Sequence, residues 1–408
     1  MLTLELKEEF FSFIHNNLNS DVKNLALKFH GKTLPFDLKF ALLQIEARKK
    51  YKKKLPEFIG NPYFLFPDLI AGEQSTSEAL ANFHAELIPS NGNTLDMTSG
   101  LGIDIMAFAK NSKRVTGCEI DPFKANILKY NCNKSALNNI QIFNEDSIEY
   151  LKKTNEKFDL IFIDPARRDA HNKRVYNLSD CKPDYLNFLP LMREKSKKII
   201  LKCSPMLDIT QTKRDLSDII SIRSLSLNGE CKELLIEQKG NLDNDKEKHD
   251  ILYEAIDLDL NGSILNKLSY YEKNSSSPHE IRYVTDGINW NDFYLYEPNA
   301  AVMKLSPWKE IQDKYPEILK LGVSSHLFIH KMYLPDFPGR KLKIEKLISK
   351  KDRTTLKGSP VNIVTRNYYT TPEIIRKELK LSEGKDKFLY ATKVNDKPLM
   401  ILSTIIND

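Results

Sequence analysis

Apolar positions in the first 70 residues recur at helical spacing: Phe10, Phe13 and Ile14, then Val22, Leu25 and Phe29, then Phe40, Leu42, Leu43 and Ile45. The series stops at PEFIGNPYFLFPD, whose three prolines interrupt helix, so residues 1–70 are predicted as a helical N-terminal region. From residue 71 to about 258 a different rhythm repeats: a short apolar run closes on an acid or a turn, and helical spacing follows. In LDMTSGLGIDIMAFA, a strand ends at Leu95, a glycine loop follows, and Ile103, Ile105, Met106, Ala107 and Ala109 resume as a helix. Val115 to Cys118 predicts a second strand, followed by a helix bearing Ala125, Ile127, Leu128 and Tyr130, and Ile140 to Phe143 predicts a third. The run Leu160 to Ile163 within FDLIFIDPARRD is apolar enough for a strand covered on both faces. KKIILKCSP reads as a fifth strand, with two more near Ile219 to Leu227 and Glu233 to Gln238. Such alternation predicts an α/β domain with a mostly parallel sheet and an antiparallel edge.

Beyond this run the pattern loosens. GNLDNDKEKHD and YEKNSSSPHE have turn or linker composition, with ILYEAIDLDL between them as a strand candidate. Helical spacing returns around Trp308 to Leu321. A last unit pairs a helix, with Thr371 before it and Pro372 in its first turn, with the hairpin pattern KFLYATKVNDKPLMILST. Helix plus short strands implies α+β. The expected division is 1–70, 71–258, 259–323 and 324–408.

The loop after Leu95 narrows the chemistry. A dinucleotide fingerprint needs a third glycine where Ile105 stands, and a P-loop needs Lys and Ser or Thr where Ile103 and Asp104 follow Gly102. What remains is D-x-x-x-G-x-G led by Asp96, whose charge would repel a pyrophosphate and attract an ammonium group. Either the loop holds a partly cationic ligand or it is a tight strand-to-helix turn. Glu119, at the end of the second strand, is placed to accept hydrogen bonds from two ribose hydroxyls. Asp146, after the third strand, is placed for an adenine amino group, with the Ser147 backbone donating to a ring nitrogen. Asp164 and Pro165 end the fourth strand at the same crevice.

The ordered set Asp96/Gly100/Gly102, Glu119, Asp146 and Asp164-Pro165-Ala166-Arg167 resembles the class I S-adenosylmethionine-dependent methyltransferases over residues 71–240. The resemblance implies a Rossmann-like sheet and S-adenosyl-L-methionine as methyl donor. It implies donor contacts from Thr76, Asp96, Thr98, Gly100, Gly102, Asp104, Glu119, Ile120, Asp146, Ser147 and Asp164. EQSTSEALANFHAELI, DMTSGLGID and DPARRD, with GVSSHLF and FPGRKLKIE in the tail, are similar to a bacterial group of methyltransferases with a ferredoxin-like segment and a C-terminal THUMP-like domain. The core is also similar to the RNA cap trimethylguanosine synthase type, which methylates an exocyclic guanine nitrogen. It departs from that type where Pro165 is followed by Ala166-Arg167 in place of Pro-Trp or Pro-Tyr, so the stacking aromatic is missing.

These resemblances imply methyl transfer to a base nitrogen, guanine favoured, of structured RNA such as tRNA or rRNA. Asp164, Pro165 and Arg167 are the expected catalytic residues: the Asp164 carboxylate or the carbonyl beyond Pro165 accepts from the attacking N–H. Arg167 and Arg168 hold a phosphate or a guanine edge, or else pair with Asp169; His171 is a weaker candidate. Two alternatives stand beside this. DPAR and LKCSP partly match the RNA uracil C5 methyltransferases, which would make Cys203 a nucleophile, although Lys202 and Ser204 replace the usual flanking residues. A binding scaffold without transfer is the other.

Charge adds a partner. The net +6 is modest for 408 residues, but ARKKYKKK and RKLKIEKLISKKDRTTLK place basic runs, Arg48–Lys54 and Arg340–Lys357, on either side of the core. Both are expected to grip RNA phosphates. The five scattered cysteines lack a CxxC pair, disfavouring a disulfide framework or a zinc site, and acids in the opening segment disfavour a secretory signal; no metal and a cytoplasmic location are expected.

Overall fold

The computed structural model describes residues 6–165, 178, 184–243, 250–273, 280–349 and 351–406. The chain divides into two compact units, one of Met1–Ile222, Glu233–His249 and Leu258–Ser263, the other of Arg223–Lys232, Asp250–Asp257 and Ile264–Asp408.

In the first unit the predicted helical region forms α1 (Glu8–Asn16), α2 (Val22–Phe29), α3 (Leu38–Tyr51), α4 (Pro56–Gly60) and α5 (Leu69–Gln74). Aspartates begin three of them: the carboxylates of Asp21, Asp37 and Asp68 accept backbone N–H groups of α2, α3 and α5, satisfying donors that have no partner within the helix. Phe10, Ile14, Leu25, Ala41 and Ile45 pack together as this region's core. The proline-interrupted loop after α4 has little backbone pairing of its own, and buried side chains supply it. Arg48 donates to the carbonyls of Ile59, Asn61, Pro62 and Phe64 at 2.7–3.3 Å. Gln44 pairs with both backbone groups of Phe66, and Asn131 with both of Leu65.

This corrects the expected phosphate grip at Arg48, which is 4% exposed and consumed by the loop. Lys49 donates to the Ser20 carbonyl, Lys50 pairs with Glu73, and Lys54 donates to the carbonyls of Gly72 and Glu73.

Next come α6 (Glu78–Glu86), β1 (Asn93–Asp96), α7 (Ile103–Ala109), β2 (Arg114–Cys118), α8 (Pro122–Lys134), β3 (Ile140–Phe143), α9 (Ser147–Lys153) and β4 (Phe158–Ile163). α10 (Tyr185–Lys195), β5 (Ser196–Cys203), α11 (Ile209–Asp215), β6 (Ile219–Leu227) and β7 (Glu230–Lys239) follow. The strands lie in the order β3-β2-β1-β4-β5-β7-β6. β1 to β5 pair in parallel, and β7 is antiparallel to β5, the predicted antiparallel edge. The order reverses at β1, with β2 on one side and β4 on the other, so the C-terminal ends of β1 and β4 flank the crevice where open α/β sheets bind ligands.

In the second unit the ends of β7 and β6 continue to β8 (Leu252–Leu258) and β9 (Ile264–Tyr271). A separate sheet contains β10 (Tyr294–Pro298), β11 (Leu319–Lys320), β12 (Phe328–His330), β13 (Gly339–Leu347), β14 (Asn362–Thr365), β15 (Lys387–Val394) and β16 (Lys397–Ile405), ordered β11-β12-β10-β13-β16-β15-β14. Its helices are α12 (Ala300–Leu305), α13 (Trp308–Lys314), α14 (Asp352–Thr355) and α15 (Pro372–Leu379). The predicted hairpin is β15 with β16, paired from Lys387↔Thr404 to Val394↔Lys397. The second basic run is partly a central strand: along β13, Leu342 and Ile344 enter the core while Lys343 is exposed. Arg340 donates to the buried Glu297 carboxylate, which also receives Arg366 and Tyr390, and Lys346 pairs with Asp352 at 3.1 Å. Lys350 lies outside the described residues.

Candidate active site

The glycine loop leaves the buried end of β1 with its acid sealed inside. Asp96 is 1% exposed; Oδ1 accepts the Thr98 N–H at 3.0 Å, whereas Oδ2 is buried with no hydrogen-bond partner among the described residues. Burial pushes the carboxyl up to about 7, the charges of Asp104 and Asp164 act in the same direction, and the Thr98 N–H and Ser99 hydroxyl oppose them. Gly100 and Gly102 have φ of +50° and +93°. A Cβ on Gly100 would meet nothing nearer than 3.9 Å, while one on Gly102 would stand 2.3 Å from Leu128 Cδ1. The first glycine therefore leaves open space beside the loop, and the second lets α7 start against α8.

The neighbouring strand ends are tied to this loop. The Ser99 N–H donates to the Cys118 carbonyl, and the Glu119 N–H to that of Phe143. The Glu119 side chain is half-buried and accepts the Asp121 N–H at 2.9 Å; Ile120 beside it is 65% exposed. Asn144 donates to the carbonyls of both Glu119 and Ile120, fixing the turn. Asp146 is the N-cap of α9, its Oδ1 accepting from Ile148 and Glu149, and Ser147 is the buried first residue of that helix. Thus Asp96, Gly100, Glu119 and Asp146 all stand at the C-terminal edge of the sheet, and Asp146 has a structural duty as well.

At the end of β4, the Asp164 N–H donates to Thr98 Oγ1 at 2.8 Å, joining the two loops directly. The Asp164 carboxylate, 27% exposed, receives Lys202 Nζ on Oδ2 at 2.6 Å. Lys202 is 4% exposed, donates also to Thr76 Oγ1 at 2.8 Å, and lies 3.9 Å from Glu233. His84, on α6, bonds Asp104 through Nδ1 at 2.8 Å and Glu233 through Nε2, and Thr76 donates to Asp104. Burial works against a charged His84, but Glu233 and Asp104 outweigh it and raise the imidazole to about 9, so both ring N–H groups donate. Burial likewise opposes charge on Asp104 and Glu233, and their cationic partners hold both below their ordinary values. Lys202 is held above its ordinary value by Asp164, Glu233 and Asp104, against the cost of burial. Thr76 and Asp104, expected at the methyl donor, have these protein partners.

Motif spacing does not single out Lys202, His84 or Glu233. One signal is legible: Lys202 is a cation inside the apolar run of a strand covered on both faces, where charge survives only if paired. Cys203 follows it on β5, so its side chain is turned to the opposite face, that of buried Tyr185. Pro165 is buried at the end of the fourth strand, while Arg167, Arg168, Asp169 and His171 lie outside the described residues.

Three stretches of the chain match known families. Residues 74–182 match the family described as conserved hypothetical protein 95, residues 294–338 a ferredoxin-like domain, and residues 339–404 a THUMP domain-like family. A crystal structure from Porphyromonas gingivalis W83, named "putative methyltransferase", superposes with a TM-score of 0.83 at 25% identity, covering 98% of each chain. An uncharacterized RNA methyltransferase of Mycoplasma mobile is 28% identical over 116 residues, 28% of this chain and 32% of that protein. The chain therefore spans about a third of that relative's length. Ribosomal RNA small subunit methyltransferase D of Buchnera aphidicola is 29% identical over 139 residues, 33% of this chain and 72% of that protein.

Proposed function

From the premise of a methyltransferase whose catalytic sheet is accompanied by ferredoxin-like and THUMP-like segments, we propose that this chain transfers a methyl group from S-adenosyl-L-methionine to a base nitrogen of structured RNA, guanine favoured. The observation that carries the donor assignment is the buried Oδ2 of Asp96, which has no hydrogen-bond partner among the described residues, in a loop where a Cβ on Gly100 would meet open space. An orphaned carboxylate oxygen at a loop with spare room suits an ammonium group, as the methionine portion of the donor carries. Glu119 suits the ribose hydroxyls, Ile120 the adenine face, and the Asp146 and Ser147 segment the adenine edge. When bound, the donor supplies a methyl group on a positively charged sulfur, displaced in line.

The chain's own residues then align the acceptor and keep water out. Asp164, tied through its N–H to Thr98 of the donor loop, accepts a hydrogen bond from the acceptor's N–H and so aims the nitrogen lone pair. Few groups need react. RNA as acceptor is supported by the names of the two curated relatives and by the THUMP-like match. Pyrimidine C5 chemistry is disfavoured because a thiol nucleophile belongs on the Asp164 side, and Cys203 is turned from Lys202 to the other face.

The test is a mass-spectrometric comparison of nucleosides in tRNA and rRNA from cells with and without this protein, with purified chain and labelled donor restoring the missing mark. Loss of one methylated purine supports the reading. Loss of 5-methylpyrimidine moves it to carbon chemistry, and donor binding without transfer makes the chain a scaffold.

A further inference from the structure

The five residues behind Asp164, namely Thr76, His84, Asp104, Lys202 and Glu233, do more than anchor the fold. Together with Asp164 they set three carboxylates, Asp104, Glu233 and Asp164, against two cations, His84 and Lys202. His84 spans Asp104 and Glu233, which have side-chain exposures of 14% and 3%. Lys202 alone of the two cations reaches Asp164, whose side chain is 27% exposed at the crevice. Thr76 Oγ1 accepts from Nζ while giving its hydroxyl proton to Asp104, and Glu233 forms a longer ion pair with the ammonium at 3.9 Å. A buried lysine that donates to Thr76 and to one oxygen of a crevice carboxylate, with a second carboxylate 3.9 Å away, has little rotational freedom left.

We infer that Lys202 is a positioning residue for methyl transfer: by holding Asp164 through Oδ2, it keeps the other oxygen available for the acceptor's N–H. The inference rests on the role proposed above for Asp164. His84, Thr76 and Glu233 form the support that fixes Lys202, so the chain of dependence runs from α6 and β7 through β5 to the end of β4. Sub-ångström placement matters here because an in-line displacement tolerates little misalignment between the lone pair and the donor methyl.

The experiment is a double-variant cycle on the full chain. Methyl incorporation from labelled donor is measured on total RNA from cells lacking the protein, with calorimetry giving donor affinity and thermal melting checking the fold. Lys202→Met should lower kcat by about 10- to 100-fold, with donor affinity and the KM for RNA within about twofold of wild type. Lys202→Arg, which keeps a donor to Asp164, should recover part of the loss. Asp164→Asn/Lys202→Met should be no slower than Asp164→Asn alone, since a residue acting only through Asp164 has nothing further to remove. If Lys202→Met does not fold, Lys202→Met/Glu233→Gln, which removes one cation and one anion together, replaces it in the cycle. Additive losses would overturn the positioning role and leave the Asp164 reading standing. Full activity of Asp164→Asn would overturn both.

Discussion

A carboxyl buried to 1% exposure with one unpaired oxygen holds its proton until about pH 7, and Asp96 should make donor binding depend on pH. An ammonium ligand needs the ionised form, so below pH 7 binding must first release the Asp96 proton. Calorimetry with S-adenosylmethionine should show affinity rising about tenfold per unit as pH climbs toward 7 and levelling there, with a decline near pH 8 as the ligand's own amino group deprotonates. Asp96→Asn should weaken binding and abolish the acid limb; an unchanged limb would place the titrating group elsewhere. His84 gives a second pH signature. Its folded value near 9 exceeds the ordinary 6.5, so its contribution is complete below pH 6.5 and is lost as pH rises through 9. Melting curves between pH 6 and 9.5 should show wild type losing stability on the alkaline side that His84→Gln does not lose over the same window.

The two glycines of the first loop make separable demands on the strand-to-helix element. Both have positive φ, which costs a residue with a Cβ about 1–2 kcal/mol. At Gly100 the added methyl enters open space, so Gly100→Ala should lower donor affinity more than the melting temperature. At Gly102 it meets Leu128, so Gly102→Ala should destabilise the fold further, by about 2–4 kcal/mol in all. Equal effects of the two on melting would contradict this division. The loop braced by Arg48 behaves similarly at a larger scale: Arg48→Met should cost about 2–4 kcal/mol in urea unfolding, because four carbonyls, that of Phe64 buried and the others partly so, lose their donor. The same variant should leave the salt dependence of RNA binding unchanged, since this guanidinium is not at the surface.

For the whole molecule, donor binding and RNA binding should come apart. Replacing Lys343, Lys346 and Lys351 by Gln should reduce the salt slope of tRNA or rRNA binding by about 0.7–0.9 log units for each phosphate no longer neutralised, without changing affinity for S-adenosylmethionine. Lys343 should account for most of it, being an exposed residue of β13, whereas Lys346 is already paired with Asp352. Filter binding across a salt series measures this, and an unchanged slope would mark the run as ordinary solvated surface.

Periodicity carried the architecture. Each predicted strand from Val115–Cys118 through Ile219–Leu227 is a strand in the structure, because a short run rich in apolar and β-branched residues closed by a turn or an acid suits a strand and is too short for a helix. The same local grammar places Asp96 at the end of a strand and Glu119, Asp146 and Asp164 within three residues of one, where an apolar run gives way to a polar turn. What local pattern does not contain is the partner of a side chain. Arg48 and Lys49 are adjacent basic letters, yet helix phase buries one under a proline-rich loop and leaves the other exposed. Lys202 and Cys203 are adjacent on one strand, and only the packing of α6, β4 and β7 shows that the lysine turns toward Asp164 and the cysteine away. Thr76, His84, Asp104, Lys202 and Glu233 lie up to 157 positions apart along the chain and meet through tertiary contacts alone, since a buried charge is stable only beside its counter-charge and the fold decides which charges meet.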